Sequence, residues 1–336
     1  MYTDFYGLSA RPFQLTPDAR YWFDSRTHKK AMAYLGYGLA QGEGFIVITG
    51  EIGAGKSTLA AHLMATIDRE RLNAVSLVST QVGAEDMLRL AAQGMGVDTG
   101  GLEKAQLLDG IEQQLAADAN RGKRTLLVVD EAQNLTHAAL EELRMLSNFT
   151  RQGRALLQIF LLGQPEFRDR LLADDGLEQL RQRVIATHHL EPMDANEVEP
   201  YLVHRLAVAG WTGRPGFEPG AFAALYRHSG GVPRRLNRLA ERLLLFASIE
   251  RLDSVGASTV EAVAADLDAE RPQPSLQERV LPIRAKGEHV RDLALERRVA
   301  ALESRMNEQE AVVRRVLTLL VDWVENGQQI PRTNAA

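Results

Sequence analysis

The segment that most restricts how this chain can fold is an eight-residue run rich in glycine, Gly50-Glu-Ile-Gly-Ala-Gly-Lys-Ser57. It fits the pattern G-x-x-x-x-G-K-[ST] at every fixed position, and it lies between a β-branched run at 45–49 and a helical pattern at 58–67. Glycines let successive N–H groups converge on an anion without a clash at Cβ, and the following helix N-terminus adds partial positive charge. The run therefore predicts a strand–loop–helix unit that binds phosphate groups, in preference to a glycine-rich turn with a chance lysine.

The residue types of this loop predict a nucleoside triphosphate bound with Mg²⁺. The Lys56 ammonium would neutralise β- and γ-phosphate oxygens, and the Ser57 hydroxyl would ligate the metal. The predicted nucleotide-binding set is Gly50, Glu51, Ile52, Gly53, Ala54, Gly55, Lys56, Ser57 and Thr58.

A second strand ends in two carboxylates. The apolar run at 125–129 leads directly into Asp130 and Glu131, at the carboxyl end of what reads as a buried parallel strand. We expect Asp130 to hold the metal together with Ser57, and Glu131 to activate a water molecule. The alternative is a solvated acidic turn.

Three downstream positions have side chains that could take part in hydrolysis. Gln164 follows an apolar strand and could bind the γ-phosphate or the attacking water, or could only cap the turn before Pro165. Arg181 and Arg183 precede the last predicted strand, and one of them could reach a neighbouring subunit's γ-phosphate, although surface arginines are common. Arg234 lies just inside a helix that starts at proline and could link that helix to the nucleotide, or could pair with a local acid.

The pattern along the chain predicts an α/β core followed by helices. Short apolar runs at 45–49, 74–78, 125–129, 156–162 and 184–188 alternate with helical patterns, as in a parallel sheet covered on both faces. Helical patterns then follow at 198–209, 219–228, 233–249 and 258–267. We therefore predict a nucleotide-binding core at 1–190, a small all-α lid at 191–268 and a proline-containing linker at 269–290.

The last zone, 291–326, has apolar residues spaced alternately by four and three, which predicts a coiled coil of about four heptads. Its pairs of opposite charge favour parallel self-association, whereas a single amphipathic helix docked on its own body would show a similar stripe. The seam consists of Leu295, Val299, Leu302, Met306, Gln309, Val313, Val316, Leu320 and Trp323.

Composition limits the remaining possibilities. The chain of 336 residues contains no cysteine, which excludes disulfides, thiolate nucleophiles and cysteine-based metal sites. Its net charge of -5 does not favour bulk attraction to nucleic acid or anionic lipid. No signal peptide and no transmembrane span are legible, which predicts a cytoplasmic protein, peripheral to the inner membrane only through a partner.

These motifs together resemble those of AAA+ ATPases. Gly50–Ser57 is similar to Walker A, Asp130 and Glu131 to Walker B, Gln164 to sensor 1, and Gly231-Val-Pro-Arg234 to the G-x-P-R pattern of sensor 2. The segments around Phe5–Leu8, 130–135, 163–166 and 180–183 resemble the general secretion pathway protein A group. The segments 41–50 and 77–81 are similar to the secretion ATPase found with PEP-CTERM/exosortase systems.

The resemblance implies a P-loop AAA+ fold and Mg²⁺-dependent ATP hydrolysis in protein sorting or exopolysaccharide export. It also implies a homo-oligomer, protein partners in a membrane system, and contacts from Pro12 and Phe13 to the adenine base. Secretion protein A proper carries a transmembrane helix and a peptidoglycan-binding part, neither of which is legible here. The rival functions are a DNA-directed AAA+ adaptor of the transposition or replication type, which the acidic charge disfavours, and a scaffold that binds ATP without turnover.

Overall fold

The computed structural model describes residues 2–78 and 83–270, which belong to one compact unit, Met1–Pro272. The predicted linker beyond residue 270 and the predicted heptad helix lie outside the described residues. Within the described ranges, no helix is both long and apolar enough to span a bilayer.

Five parallel strands form the central sheet, in the order β2-β3-β6-β1-β7. All five predicted strands are present, with ends that differ by at most two residues. The strands are β1 (Phe45–Gly50), β2 (Leu72–Val78), β3 (Arg124–Asp130), β6 (Leu157–Gly163) and β7 (Val184–Leu190), and a small antiparallel pair, β4 (Thr150–Arg151) and β5 (Arg154–Ala155), precedes β6.

The connecting helices cover both faces of this sheet because its strands alternate between two apolar clusters. In β1, Phe45 and Val47 point into one cluster while Ile46 and Ile48 point into the other, and β3 and β6 alternate in the same way. The chain's first helix is α1 (Tyr2–Tyr6). The helices around the sheet are α2 (Arg26–Gln41), α3 (Lys56–Thr66), α4 (Ala84–Gly94), α5 (Lys104–Asn120), α6 (His137–Leu146), α7 (Pro165–Ala173) and α8 (Glu178–Arg181).

Four helices follow the sheet and form the lid. They are α9 (Ala195–Val208), α10 (Pro219–Ser229), α11 (Pro233–Ile249) and α12 (Ala257–Ala269). The first begins with a capping box, in which the side chains of Asp194 and Glu197 satisfy each other's main-chain N–H groups.

The lid differs from the predicted all-α domain in one respect. Two-residue strands, β8 (Gly216–Phe217) and β9 (Ser254–Val255), pair in parallel where the loops after α9 and α11 meet. The pairing satisfies loop main-chain groups, for example through Glu218 N–H to the Val255 carbonyl at 3.0 Å. Two residues are too few to produce a legible alternating pattern in the sequence.

The first residues pack with the lid, although the sequence assigns them to the 1–190 core. Tyr2, Tyr6, Leu8 and Phe13 are buried in the same apolar cluster as α9 to α12, and α1 lies against α11. The N-terminal segment therefore reaches across to the lid before the chain enters the sheet at β1.

Candidate nucleotide site

The glycine-rich loop runs from the end of β1 to the first turn of α3, at the carboxyl edge of the sheet and between the ends of β6 and β7. Gly53 and Gly55 have φ values of 86° and 101°, a region that residues with a Cβ rarely adopt. A Cβ at Gly53 would lie 2.3 Å from the Cβ of Arg234, and one at Gly55 would lie 2.6 Å from Nε2 of His28. The glycines therefore allow the loop to curve and allow two neighbouring elements to approach its main chain.

Lys56 lies under this loop and is almost fully buried. Its Nζ donates to the carbonyl oxygens of Gly50 at 2.7 Å and Glu51 at 3.1 Å. Burial lowers the pKa of Lys56, and the carboxylates of Glu131 and Asp130 oppose this decrease. An anion in the loop would supply the negative charge that favours the ammonium form.

Ser57 and Asp130 join the loop to β3. The Ser57 hydroxyl donates to Oδ2 of Asp130 at 2.6 Å, while Oδ1 accepts the Glu131 N–H at 2.9 Å. Strand β6 lies between β1 and β3, so this hydrogen bond crosses the end of β6. The strand order cannot be predicted from the sequence pattern alone. A hydroxyl and a carboxylate oxygen are ligands that suit Mg²⁺, which binds one or two protein oxygens and completes its shell with phosphate and water.

Glu131 is held by two amides. Its main chain adopts φ 56°, and its carboxylate accepts from Nε2 of Gln133 and, at 3.4 Å, from Nε2 of Gln164. The amide of Gln133 is itself oriented, because its Oε1 accepts the Gln164 N–H at 3.0 Å. The ends of β3 and β6 thus share one hydrogen-bonded group of a carboxylate and two amides.

A cavity of about 310 Å³ lies between the loop, the N-terminal segment and the lid. Six loop residues that the sequence predicts to bind nucleotide line it, whereas Gly50, Glu51 and Ala54 do not. The lining residues of the loop are Ile52, Gly53, Gly55, Lys56, Ser57 and Thr58; those of the N-terminal segment are Gln14–Asp18, Tyr21, Trp22 and Phe23; and those of the lid are Met193, Tyr201, Arg205, Pro233, Arg234 and Asn237.

The lid reaches the loop through the start of α11. The Arg234 N–H donates to the Gly53 carbonyl at 3.1 Å, and the Arg234 side chain lines the cavity. Deeper in the lid, Arg205 lies over the Tyr21 ring at 4.6 Å and donates to the Pro12 carbonyl at 2.7 Å. The start of α11 is therefore hydrogen-bonded to the phosphate loop, and the N-terminal segment is in contact with the lid through Arg205.

Pro12 and Phe13 do not line the cavity, so the structure does not bring them to the predicted base contact. Phe13 is fully buried in the lid cluster, and the Pro12 carbonyl accepts from Arg205. The neighbouring residues Leu15, Thr16 and Pro17 line the cavity instead. Large apolar residues at the start of a chain can fill a core or contact a ligand, and only the packing distinguishes these two roles.

Arg181 and Arg183 also lie away from this cavity. Arg181 donates to the carbonyl oxygens of Leu171 and Leu172, and Arg183 donates to Ser147. The Arg183 carbonyl accepts the Phe45 N–H at 2.9 Å, at the amino end of β1 and hence opposite the phosphate loop. Neither arginine could serve the site of its own chain.

Two residues of the site have a sequence pattern that does not by itself predict a role there. Gln133 belongs to the segment 130–135, and its amide donates to Glu131. His28 lies on the amphipathic helix α2 and is one of the residues that line the cavity. Their contacts depend on the turn after β3 and on the approach of α2 to the loop, which no local spacing encodes.

The fold and the loop together define the class of this protein. A parallel sheet with a phosphate loop after an interior strand, flanking helices and a helical lid is the P-loop NTPase fold of the AAA type, and residues 39–171 match the family model described as AAA domain.

Among curated proteins, the chain is similar to the general secretion pathway protein A of Aeromonas hydrophila, with 38% identity over 250 residues. The similarity covers 74% of this chain and 45% of that protein, so the chain spans less than half of its relative's length.

Two solved structures illustrate the fold. The Aeropyrum pernix ORC2 protein, in its ADPNP-ADP complexes, superimposes with a TM-score of 0.58 at 16% identity, covering 77% of this chain and 72% of that one. The Cdc6p structure from Pyrobaculum aerophilum gives 0.59 at 14% identity, covering 76% and 70%. At these identities the likeness shows the fold alone.

Proposed function

We propose that this protein is a Mg²⁺-dependent ATPase that converts hydrolysis into movement of its helical lid. One observation carries the proposal: the Ser57 hydroxyl and the Asp130 carboxylate meet at 2.6 Å, beside the buried Lys56 and the carboxylate of Glu131, at the mouth of a cavity that the lid completes. The alternative interpretation of Asp130 and Glu131 as a solvated acidic turn does not explain why a buried ammonium group and a glycine-rich loop lie beside them.

Each residue has a role that follows from its chemistry. The N–H groups of Gly53, Gly55, Lys56 and Ser57 and the Lys56 ammonium bind the phosphate chain, and Ser57 and Asp130 hold the metal. Mg²⁺, when bound with the nucleotide, neutralises charge on the β- and γ-phosphate oxygens. Glu131 accepts a proton from the attacking water, and Gln164 orients that water or the γ-phosphate.

The lid supplies the link between the nucleotide and movement. Arg234 donates its main-chain N–H to the loop and is one of the residues that line the cavity, and its guanidinium would pair with the γ-phosphate. Loss of the γ-phosphate would remove the ion pair with Arg234 at the start of α11. The position of the lid would then differ between the ATP-bound and the ADP-bound protein.

The functional unit is proposed to be a homo-oligomer. Arg181 or Arg183 would serve the γ-phosphate of an adjacent subunit, because both lie on the side of the sheet away from their own loop. Self-pairing of the heptad segment at 291–326 would hold subunits together; this part of the proposal rests on the sequence alone.

The similarity to a general secretion pathway protein favours a role in secretion. The finer proposal is a bacterial protein-sorting and exopolysaccharide-export system of the PEP-CTERM/exosortase type, with the ATPase in the cytoplasm and bound to the inner membrane through a protein partner. That assignment comes from the segments at 41–50 and 77–81, and the genes beside this one would test it.

The DNA-directed alternative has weaker support. The fold likeness to the ORC2 and Cdc6p structures stands at 14–16% identity, which carries no inference about ligands, and the net charge is -5. Micromolar or tighter DNA binding at physiological salt would revive it.

The proposed function is tested by calorimetry with ATP and Mg²⁺ and by steady-state hydrolysis. Lys56→Ala is expected to weaken nucleotide binding by about 100-fold or more, because the phosphate charge loses its buried partner. Glu131→Gln is expected to bind within about threefold of the parent but to hydrolyse at least ~100-fold more slowly.

Lys29→Ala is the matched control, since Lys29 is exposed on α2 and away from the cavity. Full turnover by Glu131→Gln would contradict the assignment of the base. Absence of binding by the parent chain would contradict the function as a whole.

A further inference from the structure

A buried imidazole beside the phosphate loop has no role in the function proposed above. His28 lies in the first turn of α2, is 7% exposed, and lines the cavity together with Gly55 and Lys56. Its Nδ1 lies 2.6 Å from the Ser25 hydroxyl, but its Nε2 is buried without a hydrogen-bond partner. A buried polar nitrogen without a partner is costly unless something satisfies it in a functional state.

The hydrogen bonds of Ser25 define which nitrogen carries the proton. Ser25 caps α2, and its Oγ accepts the His28 N–H at 3.3 Å. Ser25 is fully buried, and among the described residues Nδ1 is the acceptor in reach of its hydroxyl proton. The hydroxyl therefore donates to Nδ1, and the neutral ring carries its own proton on Nε2.

The ring remains neutral at physiological pH. Burial lowers the pKa of His28 to about 4, while the Glu197 carboxylate, the Gly55 main chain and Asp24 oppose this decrease and His188 adds to it. The imidazole is therefore a single-donor group at Nε2.

Nε2 faces the main chain of the phosphate loop. A Cβ built on Gly55 would lie 2.6 Å from it, so the ring occupies the space that any other residue at 55 would need. Trp22 makes an edge contact with the imidazole, at 5.1 Å between ring centroids. The helix cap and the tryptophan together leave the ring little freedom to turn away from the loop.

We propose that His28 is a positioning residue of the nucleotide site: when a triphosphate occupies the loop, the His28 Nε2–H donates to the Gly55 carbonyl and holds the loop in the curvature that binds the phosphates. The inference rests on the proposed function. It makes the cap of α2, rather than the loop alone, responsible for the shape of the phosphate cradle.

The first test compares two replacements of His28 by their affinity for MgATP in calorimetry. His28→Gln keeps an amide N–H at a similar reach, whereas His28→Leu keeps bulk and removes the donor. We expect His28→Leu to bind about tenfold more weakly, as for loss of one hydrogen bond, and His28→Gln to remain within about threefold of the parent. The loss should appear in KM, with kcat changed less than twofold.

His62→Gln is the matched control. The His62 ring stacks on the Trp22 ring, with 4.1 Å between the ring centroids and 6° between the ring planes. His62 does not line the cavity. It should bind MgATP as the parent does. Equal affinity of His28→Leu and the parent, or equal losses in His28→Leu and His62→Gln, would overturn the proposal.

The second test needs neither a variant nor turnover. Ring ¹⁵N spectra of the full chain should show His28 protonated on Nε2 at neutral pH, with the Nε2 signal moving when MgATP is added. A proton on Nδ1, or a ring signal unchanged by a nucleotide that binds, would overturn the proposal. Failure of the parent chain to bind nucleotide would instead refute the proposed function and leave the tautomer as found.

Discussion

At the level of single residues, the amide of Gln133 controls the direction in which the Glu131 carboxylate points. Gln133 accepts the Gln164 N–H and donates to Glu131, so one side chain connects the ends of β3 and β6. A carboxylate that accepts a proton from water must be aimed at that water, and its bond to Gln133 limits its freedom.

We predict that Gln133→Leu lowers kcat by about tenfold while the affinity for MgATP stays within about twofold, because the substitution affects orientation and not phosphate binding. Single-turnover hydrolysis and calorimetry measure the two quantities. Gln113→Leu, at an exposed position on α5, is the control for adding an apolar side chain. Equal losses in both measurements would show that Gln133 supports the fold of the site in general.

The buried His28 also predicts how stability depends on pH. Its pKa is about 4 in the folded chain against 6.5 in an exposed state, so between these values the unfolded chain binds a proton that the folded chain does not. The contribution to stability is therefore fully present above pH 6.5 and is lost as pH falls towards 4.

From this difference, the parent should lose about 2 kcal/mol more unfolding free energy than His28→Gln between pH 7.5 and pH 5. Urea unfolding at the two pH values measures it. Burial also lowers the pKa values of His62, His188 and His189. Both proteins contain these groups, so their contributions to the unfolding free energy cancel in the comparison. Parallel losses in the two proteins would show that His28 is not buried as described.

At the level of elements, the N-terminal segment is part of the lid's core although it precedes the sheet in sequence. Phe13 is fully buried among α9 to α12, whereas Leu15, two residues later, is 52% exposed at the cavity. The chain thus changes from core to cavity wall within two residues.

Phe13→Ala is expected to cost about 3–5 kcal/mol of unfolding free energy, as for a large aromatic removed from a core, without changing the preference for ATP over GTP. Leu15→Ala should cost below ~1 kcal/mol. Denaturant unfolding and competition binding separate the two effects. A change of base preference in Phe13→Ala with little loss of stability would instead support the base contact that the family resemblance implies.

At the level of the whole molecule, Arg183 lies at the amino end of β1, away from the cavity beside its own phosphate loop. Under the proposed function, this arginine would therefore contribute to the γ-phosphate of another subunit.

We predict that a mixture of Lys56→Ala and Arg183→Ala subunits hydrolyses ATP faster than the sum of the two alone. Each variant lacks one half of a shared site, and a mixed interface can combine the intact halves. Mixing Lys56→Ala with Glu131→Gln is the control, because both changes disable the loop side and no interface recovers. Repeating the mixture with Arg181→Ala decides which arginine acts; absence of recovery with either would argue against a trans role.

Local sequence patterns are enough to predict the secondary structure and the candidate site residues. They predict the five strands to within two residues at each end, the lid helices, the phosphate loop and the two carboxylates after β3. These features arise from local periodicity and from spacing within a few residues, since glycine conformations, helix starts and strand ends depend on neighbours in the chain. The identities of Lys56, Ser57, Asp130, Glu131 and Gln164 as candidates could be predicted for the same reason.

The contacts between those residues depend on the tertiary structure. It placed β6 between β1 and β3, so that Ser57 reaches Asp130 across a strand; it buried Phe13 in the lid; and it brought Gln133 to Glu131 and His28 to Gly55. Strand order and the packing of distant segments depend on how whole apolar faces cover one another, and no short stretch of the chain carries that information.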